Sequence, residues 1–149
     1  VHAILAVDAV DAERSTRLQL AQGILDRWLV HEVAAVDVLS ASDRLARHIG
    51  AAWPKAVLRS EIPVFARLDQ QLISGRIDLL LQDEEGFAVI DHKTFPGSRD
   101  QWEPYALGYG PQLALYAEAV SAATGTPCDR LFIHLPLVGS LLRIEIAEV

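Results

Sequence analysis

Sulfur is almost missing from this chain, which has one cysteine, Cys128, and no methionine in 149 residues. A lone cysteine rules out a disulfide framework and, within this chain, a four-cysteine zinc or iron–sulfur site. A reducing, cytoplasmic setting is the expectation that follows. With no methionine even at position 1, residues 1–149 are expected to be a single domain from a longer protein. Long apolar runs are absent too. Each is broken short of the roughly 18 residues a membrane helix needs, and no basic segment precedes an apolar core as in a secretory signal. Positive charge is scarce: the net charge is −7, and the arginines are scattered without a basic block. That argues against a free-standing grip on nucleic acid, because phosphate contacts need cations.

What is present is globular. The chain is 51% apolar and 22% charged, well away from the composition of disordered segments, and long enough to bury a core. Its first third reads as helices: the end of one over Val1 to Leu5, one over Asp11 to Val30, and one from an N-cap at Ser42 to Trp53, stopped by Pro54. Val57 to Arg67 reads as a strand interrupted by Pro63, hence an edge or bulged strand. Two further strands, about 72–82 and 87–94, flank the turn Asp83-Glu84-Glu85-Gly86. Pro96-Gly97-Ser98 opens a polar loop that runs to Gly108. Gly110-Pro111 begins a helix over 112–123, ended by Gly125 and Pro127. Arg130 to Leu137 and Leu141 to Ala147 read as the last strands. The order predicts an α/β fold with a mixed central sheet flanked by helices.

The hairpin carries the chemistry. With Gln82 facing Phe87, Asp78 falls opposite Asp91, and Arg76 opposite Lys93. One face then holds Leu80/Val89 near the turn and charge at the far end, while Ile77/His92, Leu79/Ile90 and Leu81/Ala88 make an apolar face. Like charges opposed across a ladder are destabilising, and a one-residue slip would turn every side chain over. Two carboxylates beside a lysine suit phosphodiester hydrolysis. Carboxylates are hard oxygen ligands for Mg²⁺, which acidifies a water and polarises a phosphoryl group, and a lysine stabilises the charge that develops. An ordinary ion-pair cluster of Arg76, Asp78, Asp91 and Lys93 is the other reading of the same residues.

Gly75-Arg76-Ile77-Asp78, followed by Val89-Ile90-Asp91-His92-Lys93-Thr94, resembles the PD-(D/E)XK nuclease superfamily, and more closely its RecB/AddA-like branch in helicase–nucleases. Gln112-Leu-Ala-Leu-Tyr116 resembles that branch's Gln-x-x-x-Tyr helix, and Val1-His2-Ala-Ile-Leu its histidine-bearing first helix. The resemblance implies a restriction-endonuclease-like core and a metal-dependent DNA exonuclease acting in double-strand break repair. It implies Asp78 and Asp91 as catalytic metal ligands, with Lys93 as the catalytic lysine. His2 and the main-chain carbonyl of His92 would complete the metal site, and Gln112 and Tyr116 would face substrate or brace the site. The implied cofactor is Mg²⁺ or Mn²⁺, with no iron–sulfur cluster. The implied partners are DNA, as single-stranded ends delivered by a helicase motor in the same chain, and a possible partner subunit, with no membrane. A catalytically silent scaffold or DNA guide, and a stand-alone endonuclease, are the alternatives. Glu61 reads as an edge-strand surface residue, and Trp102 as a candidate to stack on a base. Cys128 with His134 lacks an orienting third group, and His31, His48 and His134 lack zinc spacing.

Overall fold

In the computed structural model, residues 1–68, 71–95 and 97–145 are described. The helical first third comprises α1 (His2–Val7), α2 (Arg14–Arg27) and α3 (Ala35–Ala52). Glu13 caps α2, its carboxylate accepting the N–H of Thr16 at 3.1 Å, which satisfies one of the donors a helix start leaves free. Helix α3 starts seven positions before the expected cap. Ser42 lies inside it, buried with Val38, Leu39, Leu45 and Ile49 on one face. That face has helical spacing from Ala35 onward, and burial overrides the capping preference of a serine.

The sheet is built from β1 (Val57–Leu68), β2 (Gln71–Asp83), β3 (Gly86–His92), β4 (Cys128–Leu135) and β5 (Ser140–Ile144), in that spatial order. Pairing is antiparallel except between β3 and β4, which are parallel. The sheet is therefore mixed, as expected. A parallel neighbour requires a crossover, and two helices supply it: α4 (Arg99–Leu107) and α5 (Gly110–Thr124). Helix α4 occupies what the sequence suggested was a loop. Its start is a capping box, with Ser98 and Gln101 serving each other's backbone, and Pro104 lies within it. Pro96 and the end of the last expected strand, 146–147, lie outside the described residues.

The β2–β3 turn fixes the register. Gly86 holds φ +121°, and a Cβ there would come 2.5 Å from the carbonyl oxygen of Pro127, so glycine alone fits. Gln82 faces Phe87 and the pairing runs regularly to Leu79/Ile90. Both sheet faces are covered. Leu80, Val89, Leu131 and Ile133 pack with Leu113 and Val120 of α5, while Leu79, Leu81, Ala88 and Ile90 pack with Leu45 and Ile49 of α3. The expected division of the hairpin into two faces fails at one point. Ile77 packs with the α5 cluster although Leu79, two residues on, packs with α3. Strand β2 therefore turns over at Asp78, where the regular ladder with β3 has ended.

Candidate metal and nuclease site

That turnover is the centre of the site. The expected facing pair Asp78/Asp91 is not a ladder pair, because β2–β3 pairing stops one step earlier. In its place the Asp78 carboxylate accepts the N–H of His92 at 2.7 Å, so a side chain supplies the bond the ladder no longer makes. On the other side Asp78 meets α1, with His2 Nδ1 3.8 Å from its Oδ2. Glu61 of β1 occupies the matching position across from Asp78, with φ +56° and no ladder partner there. It is bound instead by Arg76 at 2.8 Å.

Asp91 is 3% exposed. Lys93 Nζ lies 2.7 Å from its Oδ2, an ion pair that is, among the described residues, the sole polar contact of an oxygen otherwise without a hydrogen bond. Burial pushes the Asp91 carboxyl above the ordinary carboxylate range, Lys93 opposes the shift, and the Asp78 charge adds to it. The same ammonium stands over the ring of Tyr109, 4.5 Å from its centroid, a cation–π contact that holds a charge without neutralising it. Tyr109 donates or accepts at 3.2 Å with Tyr105, whose ring stacks on Phe95.

Behind the site lie two buried histidines. His92 and His134 meet Nδ1 to Nδ1 at 3.0 Å, and burial pushes both pKa values down to about 3. Both rings are therefore neutral at physiological pH, one donating and one accepting. The His2 ring approaches His92 edge-on at 6.0 Å, and the carbonyl of His134 accepts the N–H of Lys93 at 2.9 Å.

Gln112 and Tyr116 touch each other and β2. Gln112 Nε2 donates to Tyr116 Oη at 2.9 Å, and the same oxygen accepts the N–H of Arg76 at 3.3 Å. Trp102 turns inward, its indole donating to the Gly97 carbonyl at 3.0 Å while its ring packs on the core. Cys128 is buried, and burial pushes its thiol up to about 11, which makes it a poor nucleophile. Sequence reasoning passed over Tyr105, Tyr109 and the His92–His134 contact. The i, i+4 spacing of the two tyrosines was the available signal for the first.

Among the described residues, no three His, Cys, Asp or Glu side chains already converge as a metal cage. The donors present fit a hard cation nonetheless. Asp91 offers a buried oxygen without a hydrogen bond, Asp78 lies close enough to shift its titration, and Mg²⁺ needs only one or two carboxylates besides water and substrate oxygens.

A mixed sheet that breaks its central ladder to gather two aspartates and a lysine has a restriction-endonuclease-like α/β design. The chain belongs to the PD-(D/E)XK nuclease superfamily, whose sequence profile it matches over residues 1–146. It is 33% identical over 126 residues to the A subunit of the ATP-dependent helicase/nuclease of Anoxybacillus flavithermus, covering 79% of this chain and 10% of that protein. A protein of the same name from Levilactobacillus brevis is 26% identical, covering 97% of this chain and 14% of the relative. One from Listeria welshimeri is 28% identical over 120 residues, covering 74% of this chain and 9% of the relative. The chain thus corresponds to roughly a tenth of the length of these relatives, and it is a nuclease domain. Among the described residues no helix is long and apolar enough to cross a membrane.

Proposed function

We propose that this domain is a Mg²⁺- or Mn²⁺-dependent deoxyribonuclease, working exonucleolytically on DNA ends during double-strand break repair. The observation that carries the reading is the Asp91 carboxylate, buried and ion-paired to Lys93 with one oxygen lacking a hydrogen bond. Such a group is costly in a fold without a further partner. Asp78, Asp91, His2 and the His92 carbonyl would hold the cation. When bound, it supplies Lewis-acid polarisation of a phosphoryl oxygen and acidification of a water.

The remaining work falls to the chain. Lys93, held by Asp91 on one side and the Tyr109 ring on the other, keeps a positive charge beside the reacting phosphate. There it orients the attacking water and stabilises charge as it develops. The N–H of His92 fixes the Asp78 carboxylate in one orientation, and Gln112 and Tyr116 brace β2 from outside the reacting centre. Because the relatives are named ATP-dependent helicase/nuclease subunits, we place a helicase motor in the same longer chain, with a possible second subunit. Single strand fed by a motor removes the need for a basic surface, in keeping with the −7 charge.

Two measurements test this. Linear single-stranded DNA is incubated with Mg²⁺ or Mn²⁺ and wild type, Asp91→Ala or Lys93→Ala; degradation is expected in the first alone. Independently of activity, Mn²⁺ should raise the melting temperature of wild type, since a ligand bound only by the native state stabilises it. The rise should vanish in Asp78→Asn and Asp91→Asn. Equal degradation by all three proteins would refute the assignment, and an unchanged metal-induced shift would refute the ligands.

A further inference from the structure

The β1–β2 pair projects past the site and carries exposed residues that neither the fold nor the proposed chemistry uses. Phe65 is 76% exposed and Leu72 75%, in strands where a solvent face ordinarily carries polar groups. Directly opposed residues share a face and alternate residues return to it. The pairs Arg67/Leu72, Phe65/Ser74 and Pro63/Arg76 therefore form one continuous strip. The alternation ends at Asp78, where β2 turns over, but the strip opens there into the site through a shared cleft. Phe65, Ser74, Arg76, Asp78 and His2 line a single open cleft of about 610 Å³.

We infer that this strip is a single-strand nucleic-acid subsite, with an unpaired base stacked on Phe65 and the adjoining phosphate held by Arg76. The inference rests on the nuclease reading and names the substrate form that the same site takes. An exposed aromatic beside a cation is the pairing that single strands use: the ring takes a base face and the guanidinium takes phosphate. A duplex cannot use it, because its base faces are stacked on one another. Four strand steps, roughly 13 Å at the usual rise, take Ser74 to Asp78, so the stacked base lies along the strand from the phosphate at Asp78. Arg76 reaches the cleft with 64% of its side chain exposed and one nitrogen committed to Glu61. A guanidinium carries five donors, which leaves enough for a phosphate. Arg67 lies at the far end of the strip and extends the positive charge along the strand's path.

The test is fluorescence anisotropy with a short labelled single strand, in chelator so that nothing is cut, across a salt series. The proteins are wild type, Phe65→Ala, Phe65→Tyr and Arg76→Ala; the ring's exposure makes its loss harmless to folding. Phe65→Ala is expected to weaken binding roughly 5- to 140-fold, the worth of one base–aromatic stack. Phe65→Tyr should bind as wild type, and Arg76→Ala should reduce the salt slope by about one. An unlabelled duplex of the same sequence should compete poorly. Wild-type affinity in Phe65→Ala overturns the inference, even if that variant loses association with another polypeptide. Absence of saturable single-strand binding by wild type, or equal competition by duplex, overturns it as well. Chelator separates this inference from the nuclease reading: binding is read without cutting, and a wild type that binds yet fails to cut when Mg²⁺ is added refutes the nuclease reading alone.

Discussion

A single methyl group at position 75 should loosen the site from behind. A Cβ built on Gly75 would lie 2.4 Å from Tyr116 Oη and 2.8 Å from its Cε1, far inside van der Waals contact. The tyrosine has little room to yield, being 6% exposed with its oxygen tied to Gln112 and to the N–H of Arg76. Overpacking of this kind costs about 1–3 kcal/mol, and disturbing the two hydrogen bonds adds about 1 kcal/mol. Gly75→Ala is therefore expected to lose about 2–4 kcal/mol in urea denaturation, read as a lower midpoint with an unchanged slope. Tyr116→Phe alone should lose about 1–2 kcal/mol through the missing hydrogen bonds. In the double variant the clashing oxygen is gone, so the combined loss should fall short of the sum by about 1 kcal/mol or more. Additivity within about 0.5 kcal/mol would refute the claim that Gly75 is glycine because Tyr116 is tyrosine.

Two predictions concern the helical lobe. Arg17 is 6% exposed, its guanidinium bonded to Asp8 at 2.7 and 2.8 Å and to Asp43 at 2.6 Å, so Arg17→Met should cost about 3–5 kcal/mol by leaving Asp8 charged and buried. Arg17→Met/Asp8→Leu should recover most of it in the same melts. The Arg17 hydrogen bonds hold the Asp8 carboxyl below the ordinary carboxylate range. Its stabilisation is therefore complete above that range and is lost as pH falls through the lowered value. The stability gap between wild type and Arg17→Met in urea melts should narrow as pH falls through that range, and a gap independent of pH would refute the pairing.

The hairpin register was legible because the turn is forced: Gly86 closes against Pro127, and the pairing runs on from Gln82/Phe87 to Leu79/Ile90. It became illegible at Asp78, where the site replaces the ladder. The Asp78 carboxylate binds the backbone of His92, and β2 turns over so that Ile77 leaves the face of Leu79. Nothing in a period-two pattern announces such a turnover, since Ile77 and Leu79 look alike. The Gln112/Tyr116 spacing was visible as one helix face, but its contact, the glycine of the Gly-Arg-Ile-Asp stretch, came from tertiary packing. Helix α4 was missed because Gly97, Pro104 and Gly108 read as breakers. Its capping box at Ser98 and Gln101 was a local signal pointing the other way. Ser42 misled in reverse, a good cap residue buried in mid-helix.

The contacts of the site differ sharply in how far the chain must travel to make them. Lys93 finds Asp91 two residues away, and Asp78 finds His92 fourteen residues away around one hairpin. Tyr109 closes on Lys93 through the short segment containing α4. His2 reaches Asp78 across the whole helical first third and β1, the longest loop among these contacts, so its closure cost is the largest. Most of the constellation can therefore form with the hairpin, before the first helix docks. That helix is six residues long, and its loss would remove the imidazole beside Asp78 without dismantling the sheet. Helix α1 thus adds the one contact of the constellation that neither the hairpin nor the crossover helices bring to it.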